Sequence, residues 1–235
     1  MRRSLFFILP MVIVISVLTF SSGLYATNYR LIDRIDEAEE VLKEMMQVPE
    51  KSIPADLFSR CKAIAIFPST IRGGFIFGAR YGKGVILAHD EKTGQWSGPA
   101  FFTIAGGSWG FQIGAQSIDL ILMIMNERGL RGLLQTKFTL GGDIGVAVGP
   151  VGRGAEVGTD LSLKAGILSY SRSRGLFAGI ALKGAVIKPN NDANSSLYGR
   201  SIFAEEILRH RAESPPCAQD LREALSRYSS AAYQR

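Results

Sequence analysis

The sequence predicts an α+β domain: a glycine-rich, strongly curved, barrel-like antiparallel sheet with an N-terminal helix and C-terminal helices packed on it. Three observations carry that expectation. The first is period-two alternation across Lys137–Lys188. Phe138, Leu140, Ile144, Val146 and Val148 share one parity, while Thr139, Gly141, Asp143, Gly145 and Ala147 share the other. The pattern returns with Val157, Leu161, Leu163, Ala165 and Ile167, and again with Leu176, Ala178, Ile180, Leu182 and Val186. Such alternation marks strands with one face in a core, and the short Gly/Pro/Arg/Ser connections make the three an antiparallel meander. The second observation is that 25 of the 26 glycines fall within residues 61–200, most of them inside strand patterns. Interior glycines weaken a strand unless backbones approach closely or the sheet bends sharply, so they predict tight curvature. The third is a helical stripe at the N-terminal end of the same domain, described below.

Taken in order, the chain opens with Met1-Arg-Arg-Ser, an uncharged run from Leu5 to Phe20, and Ser21-Ser-Gly-Leu-Tyr-Ala-Thr27. That is the three-part layout of a secretory signal, with cleavage expected after Ala26 or Gly23. The apolar run is short for a spanning helix, and an uncleaved anchor is the alternative. No Cys lies near the cleavage region, which rules out a diacylglyceryl-lipoprotein. Residues 1–26 are therefore assigned to a signal peptide or anchor, and 27–235 to a single domain with its core at 61–200. Tyr29–Gln47 is helical by spacing: Leu31, Ile32, Ile35, Ala38, Val41, Leu42, Met45 and Met46 form one stripe opposite an acidic face. Pro49 and Pro54 end it. Strands are expected at Ala63–Pro68, Gly73–Arg80, Gly84–His89 and Ala100–Ala105, with a turn at Asp90–Gly94. Gly114–Asn126 reads as a buried strand, and Glu127–Leu134 as a short helix. Asn190–Ser196 reads as a loop, and Leu197–Arg211 and Gln219–Tyr228 as helices.

Charge is unevenly distributed. Residues 61–200 carry fifteen Lys and Arg against eight Asp and Glu, whereas residues 27–60 carry five against eight. A basic sheet with non-basic helical flanks implies an anionic partner without choosing which. Cys61 and Cys217 are too few for a disulfide framework and read as unpaired small hydrophobes, with a single bridge as the alternative in an oxidising compartment.

Several segments together resemble the SYLF-domain family of lipid-binding and actin-binding domains, and they occur in that family's order. They are Gly73-Gly-Phe-Ile-Phe-Gly-Ala-Arg-Tyr-Gly-Lys-Gly84, Trp96-Ser-Gly-Pro99, Ile113-Gly-Ala-Gln-Ser-Ile-Asp119, Lys137-Phe-Thr-Leu-Gly141, Gly149-Pro-Val-Gly-Arg153 and Tyr170-Ser-Arg-Ser-Arg-Gly-Leu-Phe-Ala-Gly179. The resemblance spans Tyr29 to Phe203. It implies a non-enzymatic lipid-binding domain. Eukaryotic members bind phosphoinositides through a basic surface and an amphipathic N-terminal helix, a fungal branch also binds actin, and bacterial members are typically exported. Two features depart from that pattern. The helix Tyr29–Gln47 is net negative, and the leader lacks a lipobox Cys.

The residues expected on a headgroup-binding face are Arg72, Arg80, Lys83, Arg153, Lys164, Arg172 and Arg174. Several sit beside glycines, where backbone N–H groups join the cation in holding phosphate oxygens. The enzyme alternative is Gly106-Gly-Ser-Trp-Gly110, which matches a nucleophile-elbow pattern at Ser108. The residues that follow it read as strand where the elbow needs a helix, and His210 is the only later His. Asp143, Asp160 and Glu156 share the non-core parity and are the candidate cation ligands, but no loop has calcium-ligand spacing, and His89 and His210 lie far apart. No metal or cofactor is expected. Gly78–Gly84 fails the phosphate-loop spacing, and nucleic acid is not an expected partner. The sequence thus predicts an exported protein, periplasmic or secreted, peripherally membrane-associated or N-terminally anchored. It is expected to bind anionic phospholipid headgroups without catalysis, and actin binding is not expected of it. The alternative is an envelope structural or adaptor protein whose basic face meets a protein or acidic glycan.

Overall fold

The computed structural model describes residues 28–47, 52–74, 77–109, 114–152, 165–173, 176–177, 182–209 and 212–230. The leader assignment therefore lies outside the described residues. Residues 28–46 form α1, and its stripe Leu31, Ile35, Ala38, Val41, Leu42 and Met45 is buried. A short helix α2, Ala55–Arg60, leads into β1 (Ala63–Gly74) and β2 (Phe77–Asp90). β3 (Gln95–Trp96), β4 (Ala100–Trp109) and β5 (Gly114–Ile124) follow, then helix α3 (Glu127–Leu133). After it come β6 (Phe138–Thr139), β7 (Val146–Val148), β8 (Ile167–Ser173), β9 (Leu176–Phe177) and β10 (Val186–Pro189). The chain ends in helices α4 (Asn191–Tyr198), α5 (Ala204–Leu208) and α6 (Gln219–Ser230).

The sheet runs β6-β10-β4-β2-β1-β5-β8-β7, with β3 paired to β2 and β9 to β8. It is mixed α+β with a strongly curled, barrel-like sheet, as the interior glycines predict. Eight flat strands would hold their two end strands about 34 Å apart. Here only residues 140–145 separate β6 from β7, a reach of at most about 25 Å. The Gly141 N–H donates to the Ile144 carbonyl at 2.8 Å and shortens that reach further. The sheet must curl for its ends to meet.

Curling gives each strand an inner and an outer parity, and both are buried at the centre. Ala63, Ala65, Phe67, Ile86, Phe102, Ile104, Leu120, Leu122 and Ile124 pack inward with Leu133, Phe138, Ile202 and Ile207. Ile64, Ile66, Val85, Leu87, Phe101, Ile121 and Met123 pack outward under α1, α2 and α6. The C-terminal helix is pinned by Trp96, whose indole N–H donates to Ser229 Oγ at 3.2 Å, and by Arg222 Nε, which donates to the Trp96 carbonyl at 2.9 Å. Cys61 and Cys217 are unpaired. Burial pushes the Cys61 thiol far above its usual range, so it serves as a small hydrophobe that donates weakly to the Phe58 carbonyl.

Four expectations need correction. Among the described residues the long strands are β1, β2, β4 and β5, and the first pattern of the Lys137–Lys188 run is not one of them. That run breaks after Thr139, because Gly141 turns with φ +75° and Asp143 Oδ2 accepts the Thr139 N–H at 2.7 Å. β7 pairs with β8 in parallel, so the expected all-antiparallel meander does not form there; the middle of its second strand pattern, 153–164, lies outside the described residues. β1 passes through Pro68 instead of ending at it. A bulge between Phe67 and Thr70 absorbs the missing donor. The Asn-rich segment is helix α4, not a loop. Asn190 caps it by accepting from the Ala193 N–H, buried Asn194 accepts the Phe101 N–H at 2.6 Å, and Gly199 ends it with φ +66°.

The β1 bulge leans over the inner face of β2, and glycine makes that possible. A Cβ on Gly84 would lie 2.1 Å from the Ile66 carbonyl oxygen, and one on Gly82 would lie 2.3 Å from Thr70 Oγ1. The first obstacle is backbone and cannot rotate away. Gly84→Ala is therefore expected to cost about 2–3 kcal/mol of folding free energy in urea denaturation. An unchanged midpoint would mean that the bulge does not press on β2.

Candidate functional site

The bulge resets the parity of β1, so Thr70 and Arg72 continue the inner face while Ile71 points outward. Arg72 lies directly opposite Arg80 of β2, and Arg80 is 4% exposed. Two like charges facing each other across neighbouring strands repel. Burial first, then the Arg72 charge, holds the Arg80 guanidinium below its ordinary value. Gln116, opposite Arg72 on β5, donates from Nε2 to Ser173 Oγ at 2.8 Å. The inner face is therefore apolar along most of its length. It turns polar and basic at one end, where Thr70, Arg72, Arg80, Gln116 and Ser173 meet.

Lys83 lies on the other side of β2. It is exposed and stands in register with Thr103 of β4, which in turn pairs with exposed Lys188 of β10. Among the described residues, Arg72, Lys83 and Lys188 make no ion pair, whereas basic groups on the helices do, such as Lys43 with Glu39 and Arg209 with Glu205.

Arg172 is placed differently again. From the outer face of β8 its Nη2 binds Glu44 of α1 and sits 3.1 Å from Asp119 Oδ2 of β5. Asp119 also accepts the N–H of Ser69 at 3.0 Å, where the bulge forces φ to +47°. One guanidinium thus ties α1, β5 and β8 together, and the same carboxylate holds the bulge. Of the seven cations expected on one face, Arg72 and Arg80 come together inside, Lys83 stands outside, and Arg172 is taken up by carboxylates. Arg153, Lys164 and Arg174 lie outside the described residues, as do Glu156 and Asp160. Asp143 caps the turn after β6. Lys188 was missed because its partner row appears only once the register between β10 and β4 is known.

Ser108 sits inside β4 in register with Gly78. Among the described residues the next element is strand β5, where a nucleophile elbow needs a helix.

Residues 105–228 match the Ysc84 family, described as "Las17-binding protein actin regulator". The chain is 36% identical over 199 residues to SH3 domain-containing YSC84-like protein 1 of Rattus norvegicus, covering 82% of this chain and 58% of that protein. It is 34% identical over 175 residues to Protein YSC84 of Saccharomyces cerevisiae, covering 73% of this chain and 37% of that one. LAS seventeen-binding protein 3 of Saccharomyces cerevisiae is 34% identical over 175 residues, covering 73% of this chain and 38% of that protein. The chain thus spans little more than half the length of the animal relatives it matches.

The Arg172 cluster is largely shielded, with its side chain 15% exposed. Removing the cation leaves two carboxylates facing each other beneath α1. Arg172→Ala is expected to lower folding free energy by about 1–3 kcal/mol in urea titration, with Arg172→Lys recovering part of it. Equal stability of Arg172→Ala and wild type would show that the cluster does not hold α1.

Proposed function

The chain belongs to the Ysc84 family of SYLF domains, and from that premise we propose that it is a non-catalytic domain that binds anionic phospholipid headgroups at a membrane surface. The observation that carries the reading is the set of cations on the sheet, Arg72, Lys83 and Lys188, which face no described carboxylate partner. Cations near an anionic surface contribute on the order of 1 kcal/mol each, so a few together give reversible, salt-sensitive attachment. Arg80 lies buried beside Arg72 and keeps that end of the inner face basic. Arg153, Lys164 and Arg174 complete the proposed set. Arg172 contributes indirectly by holding α1 in place. The acidic face of α1 argues against that helix as the lipid-seeking element. The leader reading adds a compartment to the proposal: an exported protein acting at an extracytoplasmic membrane face.

A protein-binding role is favoured by one separate observation, the naming of the yeast relative as a LAS seventeen-binding protein. In this chain such a role would use the same basic sheet.

Co-sedimentation with vesicles tests the proposal. The full chain is expected to pellet with phosphatidylglycerol, cardiolipin or phosphoinositide vesicles at low salt and to release at high salt, with neutral phosphatidylcholine leaving it in solution. Combined Arg72→Glu and Lys83→Glu substitution is expected to weaken pelleting about tenfold or more. No pelleting with any anionic vesicle at low salt would overturn the lipid reading.

A further inference from the structure

The outer face of the sheet is only partly covered. Around Val85 and Phe101 it lies under α1, with the Arg34 guanidinium 5.9 Å from the Phe101 ring centre. Four residues further along the strands the cover stops. Ile71, Tyr81, Ala105 and Val186 stand there in a single row across β1, β2, β4 and β10, each in register with the next. Ile71 is 60% exposed and Tyr81 49%, Ala105 is exposed, and Val186 is half-buried. The neighbouring row is Lys83, Thr103 and Lys188, so a lysine stands at each end of a short polar strip beside the apolar one.

We propose that this uncovered strip, Ile71-Tyr81-Ala105-Val186 edged by Lys83 and Lys188, is the face that enters the interface of an anionic bilayer. The inference rests on the membrane reading and adds to it an orientation and an apolar anchor. Three features select a bilayer as the occupant. Lys83 and Lys188 border the strip, Arg34 of α1 stands within electrostatic range of Tyr81 with Glu37 and Asp33 beside it, and the carboxylate of Asp119 on the same sheet face is engaged by Arg172 and the Ser69 N–H. The strip is narrow: six side chains fall well short of the roughly 20–30 residues a side of a stable protein interface. The side chains also suit a graded boundary. Tyr81 presents an apolar ring with a polar tip, and Lys83 and Lys188 can lay their methylene stems along the apolar row while keeping their ammonium groups at phosphate level. Ile71 and Tyr81 therefore go to acyl-chain depth while the lysines meet the headgroups.

The test uses the full chain and phosphatidylcholine vesicles with and without phosphatidylglycerol. Ile71→Ser with Tyr81→Ser changes apolar area without changing charge, and both positions are exposed, so the thermal midpoint is expected to stay close to wild type. Vesicle affinity is expected to fall at least about tenfold while its salt dependence remains. An environment-sensitive fluorophore at Ile71→Cys, in a Cys217→Ser background, is expected to shift to the blue on anionic vesicles. The same label at Gln135→Cys, exposed at the end of α3, is expected not to shift. If wild type pellets but the double variant binds equally and the label at 71 does not shift, the docking face is wrong and the membrane reading stands. If wild type pellets with no vesicle, both fall. If sedimentation shows that wild type self-associates and the double variant does not, the strip belongs to a second copy and the inference is overturned.

Discussion

The structure depends on a sheet whose central strands bury both faces. In β1 the sequence Ala63-Ile-Ala-Ile-Phe67 sends small residues and Phe67 inward and two isoleucines outward, all inaccessible to water. A strand of this kind cannot sit at the surface of a flat sheet. It requires curvature to enclose one set of side chains and helices to cover the other. Interior glycines supply the first by removing side chains where the bulged strand crosses its neighbour, and the apolar stripe of α1 supplies the second. The two cores are thus one constraint seen from either side of the same backbone.

Electrostatics divides along the same line. Where α1 crosses the sheet, opposite charges are brought together and satisfied, as with Glu44, Arg172 and Asp119. Beyond the helix, Arg72, Lys83 and Lys188 pair with no carboxylate among the described residues. A net charge computed for the whole chain conceals this division, because the helices' carboxylates offset cations that they never approach. The surplus that matters for binding is the one remaining on the strands after internal pairs are counted.

Much of the fold was legible in the sequence where a pattern had one physical meaning. The stripe from Leu31 to Met45 reads as a one-sided helix, and the apolar run ending at Ile124 was too short to span a membrane and reads as a buried strand. Legibility failed where local chemistry has two uses. Pro68 reads as a stop, yet a bulge accommodates it. The asparagines after Pro189 read as a loop, yet Asn190 caps a helix and Asn194 reaches back to the backbone of β4. Period two continued past Thr139 although the chain turns at Gly141, because glycine fits either parity. The site was less legible than the fold. That Arg172 would meet Glu44, 128 residues away in sequence, and that Lys83 would align with Lys188 are facts of register and docking. No single segment contains them.

The junction that brings β6 and β7 within six residues of each other has a further consequence. A sheet with long free margins invites another chain to extend it by backbone hydrogen bonding, whether a peptide ligand or an aggregating copy. Here the terminal strands of the ladder are two and three residues long, Phe138–Thr139 and Val146–Val148. They offer little template for strand addition, even though the interior strands are among the most apolar stretches of the chain. At these two ends of the ladder, the apolar sequence the sheet needs in order to fold is kept from becoming a liability once it has folded.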